Sequence, residues 1–245
     1  AGIGATCTVE GTFELDASIM EGKDLSAGAV AGLKHVKHPI NAAYAVKTKS
    51  PHVMLSGAGA EEFAKEQGLE MVEDNMYFAT PKTMEWIEKL KQESKKNGTV
   101  GCVVLDKQGN LTAGTSTGGM FKKRWGRIGD SPVIGAGTYA DNNSCAVSCT
   151  GHGEYFIRHA VAFDVCARYK YLKESVEKAA DYIIHTELNT NAGNGGLIAV
   201  DKLGNIAMPY NSGGMFRGFL YKEKGSPEIK KGCGIGKKIV VVGEK

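Results

Sequence analysis

The chain has 245 residues, 42% of them apolar and 23% charged, with a formal net charge of only +3, which describes one globular domain or two closely packed ones and excludes fibrous, collagen-like and disordered classes. Thirty lysines and arginines against 27 acids leave no basic excess that calls for a nucleic-acid partner. Every apolar run falls short of the roughly 20 residues that span a bilayer, and the opening AGIGATCTVEG has neither a basic nor a hydrophobic leader segment, so no membrane is expected.

Two short alternating apolar stretches in residues 5–20 predict an antiparallel hairpin around Glu10 and Gly11. Helices are then predicted over 25–36 with Asp24 as N-cap, over 39–46 opening on Pro39, over 60–67 ending at Gly68, and over 81–94. The last is capped by Thr80 and carries Met84, Ile87 and Leu90 on one face. It runs into KLKQESKKNG, residues 89–98, which has the polarity of an exposed, protease-accessible linker. Charge divides the chain there. Residues 1–98 hold 11 lysines and no arginine against 14 acids, whereas residues 99–245 hold all five arginines and 19 bases against 13 acids.

The second part contains a near-repeat. Residues 98–121, GTVGCVVLDKQGNLTAGTSTGGMF, align without gaps on residues 193–216, GNGGLIAVDKLGNIAMPYNSGGMF. Each copy reads as a strand, a turn through Asp-Lys-x-Gly-Asn and a returning strand. Between them, residues 154–169 and 175–188 have helical apolar spacing. Hairpins with segregated amphipathic helices predict an α+β protein with two sheets covered by helix layers. The 33 glycines are nearly twice the usual share and fall in short clusters, as where backbone turns tightly or meets a ligand through bare amides. The six cysteines lack paired metal spacing and read as reduced, buried thiols of a cytosolic protein.

Thr99 follows the linker and Gly98 and opens an apolar strand. Cutting Gly98–Thr99 would give one residue both a hydroxyl nucleophile and an α-amino base, whose ordinary pKa is about 7.7–8.0. An ordinary strand-opening threonine fits the same pattern. Thr117 ends the returning strand at a similar distance from the turn at Gly109, so it is expected across from Thr99, as catalytic neighbour or as a packing pair. In SCTGHGEYF, Thr150, Gly151 and Gly153 sit at a strand-to-helix turn whose amides suit an oxyanion or a carboxylate, although glycine turns before helices are frequent. In KKRWGRIGDSP, Arg127 offers a fork for a carboxylate and Asp130 a partner for an ammonium, the two charges of an amino acid; a surface salt bridge is equally compatible. His152 has no identifiable acid partner and reads as a gating residue behind the site, and His35 and His38 read as surface histidines. No histidine and carboxylate metal set is found.

The ordered motifs NGTVGCVVLD, TSTGGM, GRIGDSP, GAGTYADN, TGHGE and GGLIAVDKLGN closely resemble the plant-type L-asparaginase and isoaspartyl peptidase family of N-terminal-nucleophile hydrolases. ELDASIMEGKDLSAGAVAG and SPHVMLSG resemble its α-subunit, so the resemblance covers roughly residues 1–220. It implies a four-layer αββα sandwich cut between Gly98 and Thr99 into an α-subunit, 1–98, and a β-subunit, 99–245, paired as a cytoplasmic dimer of cleaved αβ units. Thr99 would attack the side-chain amide of L-asparagine or the β-linked bond of an isoaspartyl dipeptide, with Thr117 tuning it. Arg127 and Asp130 would hold the substrate's α-carboxylate and α-ammonium, Thr150 and Gly151 would donate to the oxyanion, and Gly153 would help hold the substrate's head. No organic cofactor is implied. A structural Na+ or K+ bound by loop carbonyls is, at positions at or before Ala1. The family's glycine-rich first strand and an oxyanion asparagine are likewise expected upstream of Ala1, and the tail KGCGIGKKIVVVGEK matches nothing in the family pattern. The alternatives are a glycosylasparaginase-type amidase and an uncleaved precursor that only binds amino acids.

Overall fold

The computed structural model describes residues 1–88, 97–222, 229–234 and 240–243. Its first sheet begins with β1 (Leu15–Glu21), which pairs antiparallel with β2 (Ala27–Leu33). Residues 25–36 therefore hold a strand and not the expected helix. Asp24 does cap, but it caps the hairpin turn, accepting the Ser26 amide at 2.9 Å. The small residues that suggested a helix serve close packing: a Cβ on Gly28 would run into the Ala43 carbonyl of α1 (Pro39–Lys49). The expected hairpin in residues 5–20 is also corrected. The turn exists, with the Thr8 amide donating to Thr12 O at 2.7 Å and Gly11 at φ 80°, but only the second arm becomes a strand, because β1 is claimed on both sides by β2 and by β5 (Leu111–Met120).

The sheet is completed by β3 (Met54–Ser56) at one edge and β4 (Asn97–Leu105) at the other, in the order β3-β2-β1-β5-β4. The predicted 60–67 helix is α2 (Gly57–Glu66), and α3 (Pro81–Glu88) carries the capped start of the predicted 81–94 helix. The rest of that helix and most of the linker lie outside the described residues.

The second sheet, order β6-β7-β8-β9, comprises β6 (Thr138–Ala140), β7 (Cys145–Gly151), β8 (Gly195–Asp201) and β9 (Ile206–Ala207). Its helix layer is α4 (Gly153–Arg158), α5 (Val161–Tyr171) and α6 (Val176–Tyr182), followed by a π-helical turn, Ile183–Glu187, and α7 (Leu188–Thr190). One helix was predicted over 154–169. It is broken at Ala160, φ 46°, because the first amides of α5 bind the preceding loop, Ala162 to Ala136 O at 3.1 Å and Phe163 to Gly135 O at 2.8 Å. A third meander, β10 (Arg217–Lys222), β11 (Ile229–Gly234) and β12 (Val240–Gly243), contains the described part of the tail.

Three apolar clusters make the layering explicit. One joins Leu15, Val30 and Leu33 to α1 and α2 through Ala43, Val46, Ala60 and Ala64. Another joins Cys145, Val147 and Cys149 of β7 to α5, α6 and the π turn. The third, with Met20, Leu111, Ala113, Ala146 and Val200, lies between the sheets. Since strand side chains alternate, this is an αββα sandwich. Cys7, Cys145, Cys149 and Cys166 are buried free thiols, but Cys102 and Cys233 are exposed, which corrects the expectation that all six are buried. Cys102 shares the outer face of β4 with Val100 and Val104.

Gly28→Ala is expected to cost about 1–3 kcal/mol through overpacking, read as a lower Tm. Gly59→Ala, in α2 with nothing within 4 Å of the added methyl, is expected to hold or raise Tm, and equal effects would contradict this packing.

Candidate active site

The repeated turns set the site's register. The Asp106 carboxylate accepts the amides of Gln108 and Asn110, both at 2.8 Å, and Asp201 accepts those of Leu203 and Asn205, both at 2.9 Å. In the first copy the closed turn carries the pairing back to Thr99 opposite Thr117. In the second, the return is only the two residues of β9, since Pro209 has no amide to extend the ladder.

Thr99 donates its hydroxyl to Thr117 Oγ1 at 3.2 Å. Thr117, 3% exposed, donates in turn to the Gly98 carbonyl at 2.9 Å and accepts the Gly119 amide at 2.9 Å. One hydroxyl thus touches both the Thr99 hydroxyl and the carbonyl of the Gly98–Thr99 bond. Thr99, Gly101 and Val103 face the second sheet, as a Cβ on Gly101 would collide with Ser148 of β7 and Val103 packs against the between-sheet cluster that holds Ala146. Stepping back along β4 and forward along β7 from that contact places Thr99 and Thr150 at the same end of the sandwich.

At that end β7 and β8 run through paired glycines, Thr150 opposite Gly196 and Gly151 opposite Gly195. The His152 amide is taken by Asn194 O at 2.9 Å. Side chains are excluded: a Cβ on Gly151 would run into Asn194 O, and one on Gly153 would stand 2.8 Å from Asp130 Oδ1 and 3.0 Å from Arg127 Nη2. Gly153 is therefore where the Arg127 and Asp130 arms meet the TGHG turn. His152 stacks on Tyr155 with ring centroids 6.1 Å apart. Of the two expected surface histidines, His38 is exposed, whereas His35 is half-buried with Nδ1 3.1 Å from Val72 O.

Arg127 leaves a tight turn in which its amide binds Arg124 O at 3.0 Å while Trp125 and Gly126 hold positive φ, 57° and 67°. A left-handed tryptophan is strained, and this one is 96% exposed. The guanidinium is engaged by Glu154, with Nε to Oε1 at 2.8 Å and Nη2 to Oε2 at 2.9 Å. An incoming carboxylate must therefore share or displace Glu154, whose carboxyl Arg127 holds below its ordinary value. Asp130 is buried and its Oδ2 has no hydrogen-bond partner. Burial pushes its carboxyl up to about 7 against the pull of Arg127, and an ammonium arriving there would find an unpaired acceptor.

The structure thus gathers Gly98, Thr99 and Thr117 in one hydrogen-bonded group and brings Arg127 and Asp130 against Gly153, with Thr150 and Gly151 at the end of β7 just before it. Sequence reasoning missed two acids. Glu154 lay within the quoted TGHGE, where an acid in the first helical turn close to an arginine fork was the signal. Asp16, in ELDASIM, is an acid in an otherwise small and apolar strand, and such an acid is buried only for a reason. Among the described residues no group of three or more His, Cys, Asp or Glu is placed to hold a metal.

A family profile described as "Asparaginase" matches residues 1–229. The chain is 49% identical to the isoaspartyl peptidase of Salmonella typhimurium over 90% of this chain and 75% of that protein. It is 44% identical to the isoaspartyl peptidase of Escherichia coli over 92% and 77%, and 41% identical to human isoaspartyl peptidase/L-asparaginase over 88% and 72%.

Asp130 also makes stability depend on pH. With its folded value at about 7, above the ordinary 3.8, the folded state holds a proton that the unfolded chain has lost, so stability falls as pH rises from about 4 to about 7. Asp130→Asn is expected to raise Tm at about pH 8 and to lose that advantage below about pH 4; a gain independent of pH would contradict a buried, titrating carboxyl.

Proposed function

The chain belongs to the asparaginase family, and from that premise we propose that Thr99 is the nucleophile of a self-cleaving amidohydrolase. The enzyme hydrolyses L-asparagine to L-aspartate and ammonia and cleaves β-aspartyl dipeptides. The observation that carries the residue assignment is the shared hydroxyl: Thr117 Oγ1 lies 3.2 Å from Thr99 Oγ1 and 2.9 Å from Gly98 O.

Cleavage at Gly98–Thr99 divides the chain into units 1–98 and 99–245 and gives Thr99 a free amine. That amine takes the hydroxyl proton as Thr99 attacks the substrate's side-chain carbonyl, then returns it to the departing ammonia or peptide amine. Water hydrolyses the resulting ester. Thr150 and Gly151 donate to the oxyanion, where preorganised donors act most strongly. Arg127 takes the α-carboxylate in exchange for Glu154, and Asp130 takes the α-ammonium, giving its unpaired Oδ2 a donor. Gly153, without a side chain, leaves room for the amino-acid head between them. Chain, substrate and water supply every group in these steps, and this reading calls for no organic cofactor. A structural Na+ or K+ on loop carbonyls, and a cytoplasmic dimer of cleaved pairs, belong to the same reading.

Thr99→Ala is expected to abolish both cleavage and hydrolysis, and Thr99→Ser to keep part of each; asparaginase activity retained in Thr99→Ala would overturn the assignment. Arg127→Ala removes a charge-assisted clamp of about 1.5–3 kcal/mol, so KM for asparagine should rise roughly 10- to 150-fold, and unchanged kinetics would remove Arg127 from the site.

A further inference from the structure

Self-cleavage needs a proton acceptor that hydrolysis does not. While Gly98–Thr99 is intact, the Thr99 nitrogen is an amide and cannot act as a base, so another group must take the Thr99 hydroxyl proton. Thr99 directs that proton at Thr117, and the register continues beyond it. Thr117 lies opposite Thr99 on one side and opposite Asp16 of β1 on the other. Directly opposed side chains on neighbouring strands point the same way, with Cβ atoms about 4.5–5.5 Å apart. The shared direction is toward the second sheet, because Ser18, two residues along from Asp16, hydrogen-bonds Thr138 Oγ1 at 2.8 Å.

Asp16 is completely buried. Its Oδ1 accepts the Gly32 amide at 2.8 Å, while Oδ2 has no hydrogen-bond partner. Leaving such an atom unpaired is costly, and the reading above gives Asp16 no role. The charged groups around it come from three segments: Glu14 on its own strand's approach, Lys123 beyond β5, and Arg127 with Asp130 in the following loop. Lys123 is itself buried, donating to Glu14 O at 2.9 Å and lying 3.7 Å from Glu14 Oε2. Burial raises the Asp16 carboxyl above its ordinary value while Lys123 opposes the rise, so the group is a stronger base than an exposed aspartate and keeps a cation nearby.

We propose that Asp16 serves self-cleavage as a base that acts through the Thr117 hydroxyl, which relays the Thr99 proton to it. The inference rests on Thr99 being the cleavage nucleophile. As Thr99 Oγ bonds to the Gly98 carbonyl carbon, its proton passes to Thr117 Oγ, and the Thr117 hydroxyl, turned away from the Gly98 oxygen to which it donates in this structure, gives its own proton to Asp16 Oδ2. The tetrahedral centre then collapses, the Gly98–Thr99 C–N bond breaks, and the proton returns along the same row to the departing nitrogen. Water hydrolyses the ester, leaving the Gly98 carboxylate and restoring the Thr99 hydroxyl. After the cut the Thr99 amine is available as base, so later turnovers depend on Asp16 far less.

The test follows cleavage of the full chain by intact mass across about pH 5 to about pH 9, in the wild type, Asp16→Asn, Asp16→Glu and Thr99→Ala, with turnover of asparagine per cleaved chain measured alongside. Asp16→Asn is expected to slow cleavage on the order of 100-fold while turnover per cleaved chain falls by no more than about threefold. Asp16→Glu should recover part of the cleavage rate. Wild-type cleavage should be slowed by acid that protonates Asp16, with the slowing setting in at a higher pH than an exposed aspartate would give. Cleavage of Asp16→Asn at the wild-type rate, or an equal loss of cleavage and turnover without rescue by Asp16→Glu, overturns the proposal. Should Asp16→Asn fail to fold, cleavage of Thr117→Val at the wild-type rate overturns it, since the relay runs through that hydroxyl. A Thr99→Ala chain that still breaks at Gly98–Thr99 refutes the nucleophile assignment instead.

Discussion

The arrangement depends on the pairing of β4 with β5, which sets Thr99 opposite Thr117 and turns both toward the second sheet. A strand slipped by one residue presents its other face, which would put Val100 and Cys102 inside and expose Thr99. Two features hold the register. At the far end, the Asp106 carboxylate gathers the amides of the turn. Midway, Gly101 leaves room for Ser148 of β7, which a Cβ there would strike. A turn and a glycine thus fix where the Thr99 hydroxyl sits.

Between the sheets the sandwich changes character along its length. At the turn end it is apolar, with Met20, Leu111, Ala113 and Val200. Toward the site it becomes a ladder of hydroxyls: Ser18 reaches Thr138 at 2.8 Å, Thr138 donates to Thr115 at 2.5 Å, and Thr115 lies 2.7 Å from Ser148. Beyond the ladder are Asp16 and Asp130, each with an unpaired Oδ2. Satisfied hydroxyls cost the fold little, whereas unpaired carboxylate oxygens cost it stability. The order runs from packing to polar satisfaction to deliberate dissatisfaction, and the last stage coincides with the residues assigned to chemistry. The glycines act in the same direction, since Gly151 and Gly153 keep side chains out of the place where Arg127 and Asp130 converge.

Much of this was legible in the residues. Alternation plus Asp-Lys-x-Gly-Asn identified the 98–121 hairpin and hence the Thr99–Thr117 pair, because a tight turn fixes partners by counting. Residues 25–36 misled for a physical reason: alanine and glycine favour close packing in either structure, and the choice of strand came from β1 and α1, which no local window contains. The break at Ala160 came from amides bound to the 135–136 loop, again a tertiary cause. Arg127 and Asp130 could be found as charges matching an amino acid. That Glu154 engages Arg127 needed the folded loop, and that Asp16 lies in one row with Thr117 and Thr99 needed strand order, since β1 sits beside β5 although about 100 residues separate them in sequence.

The central claim is that the working enzyme begins a chain at Thr99. Intact-mass measurement of purified protein, made on the same sample whose asparagine turnover is recorded, tests it most directly. Turnover accompanied by two fragments, one ending at Gly98 and one beginning with Thr99, is the expected result. Full turnover from a sample whose Gly98–Thr99 bond is wholly intact would contradict it.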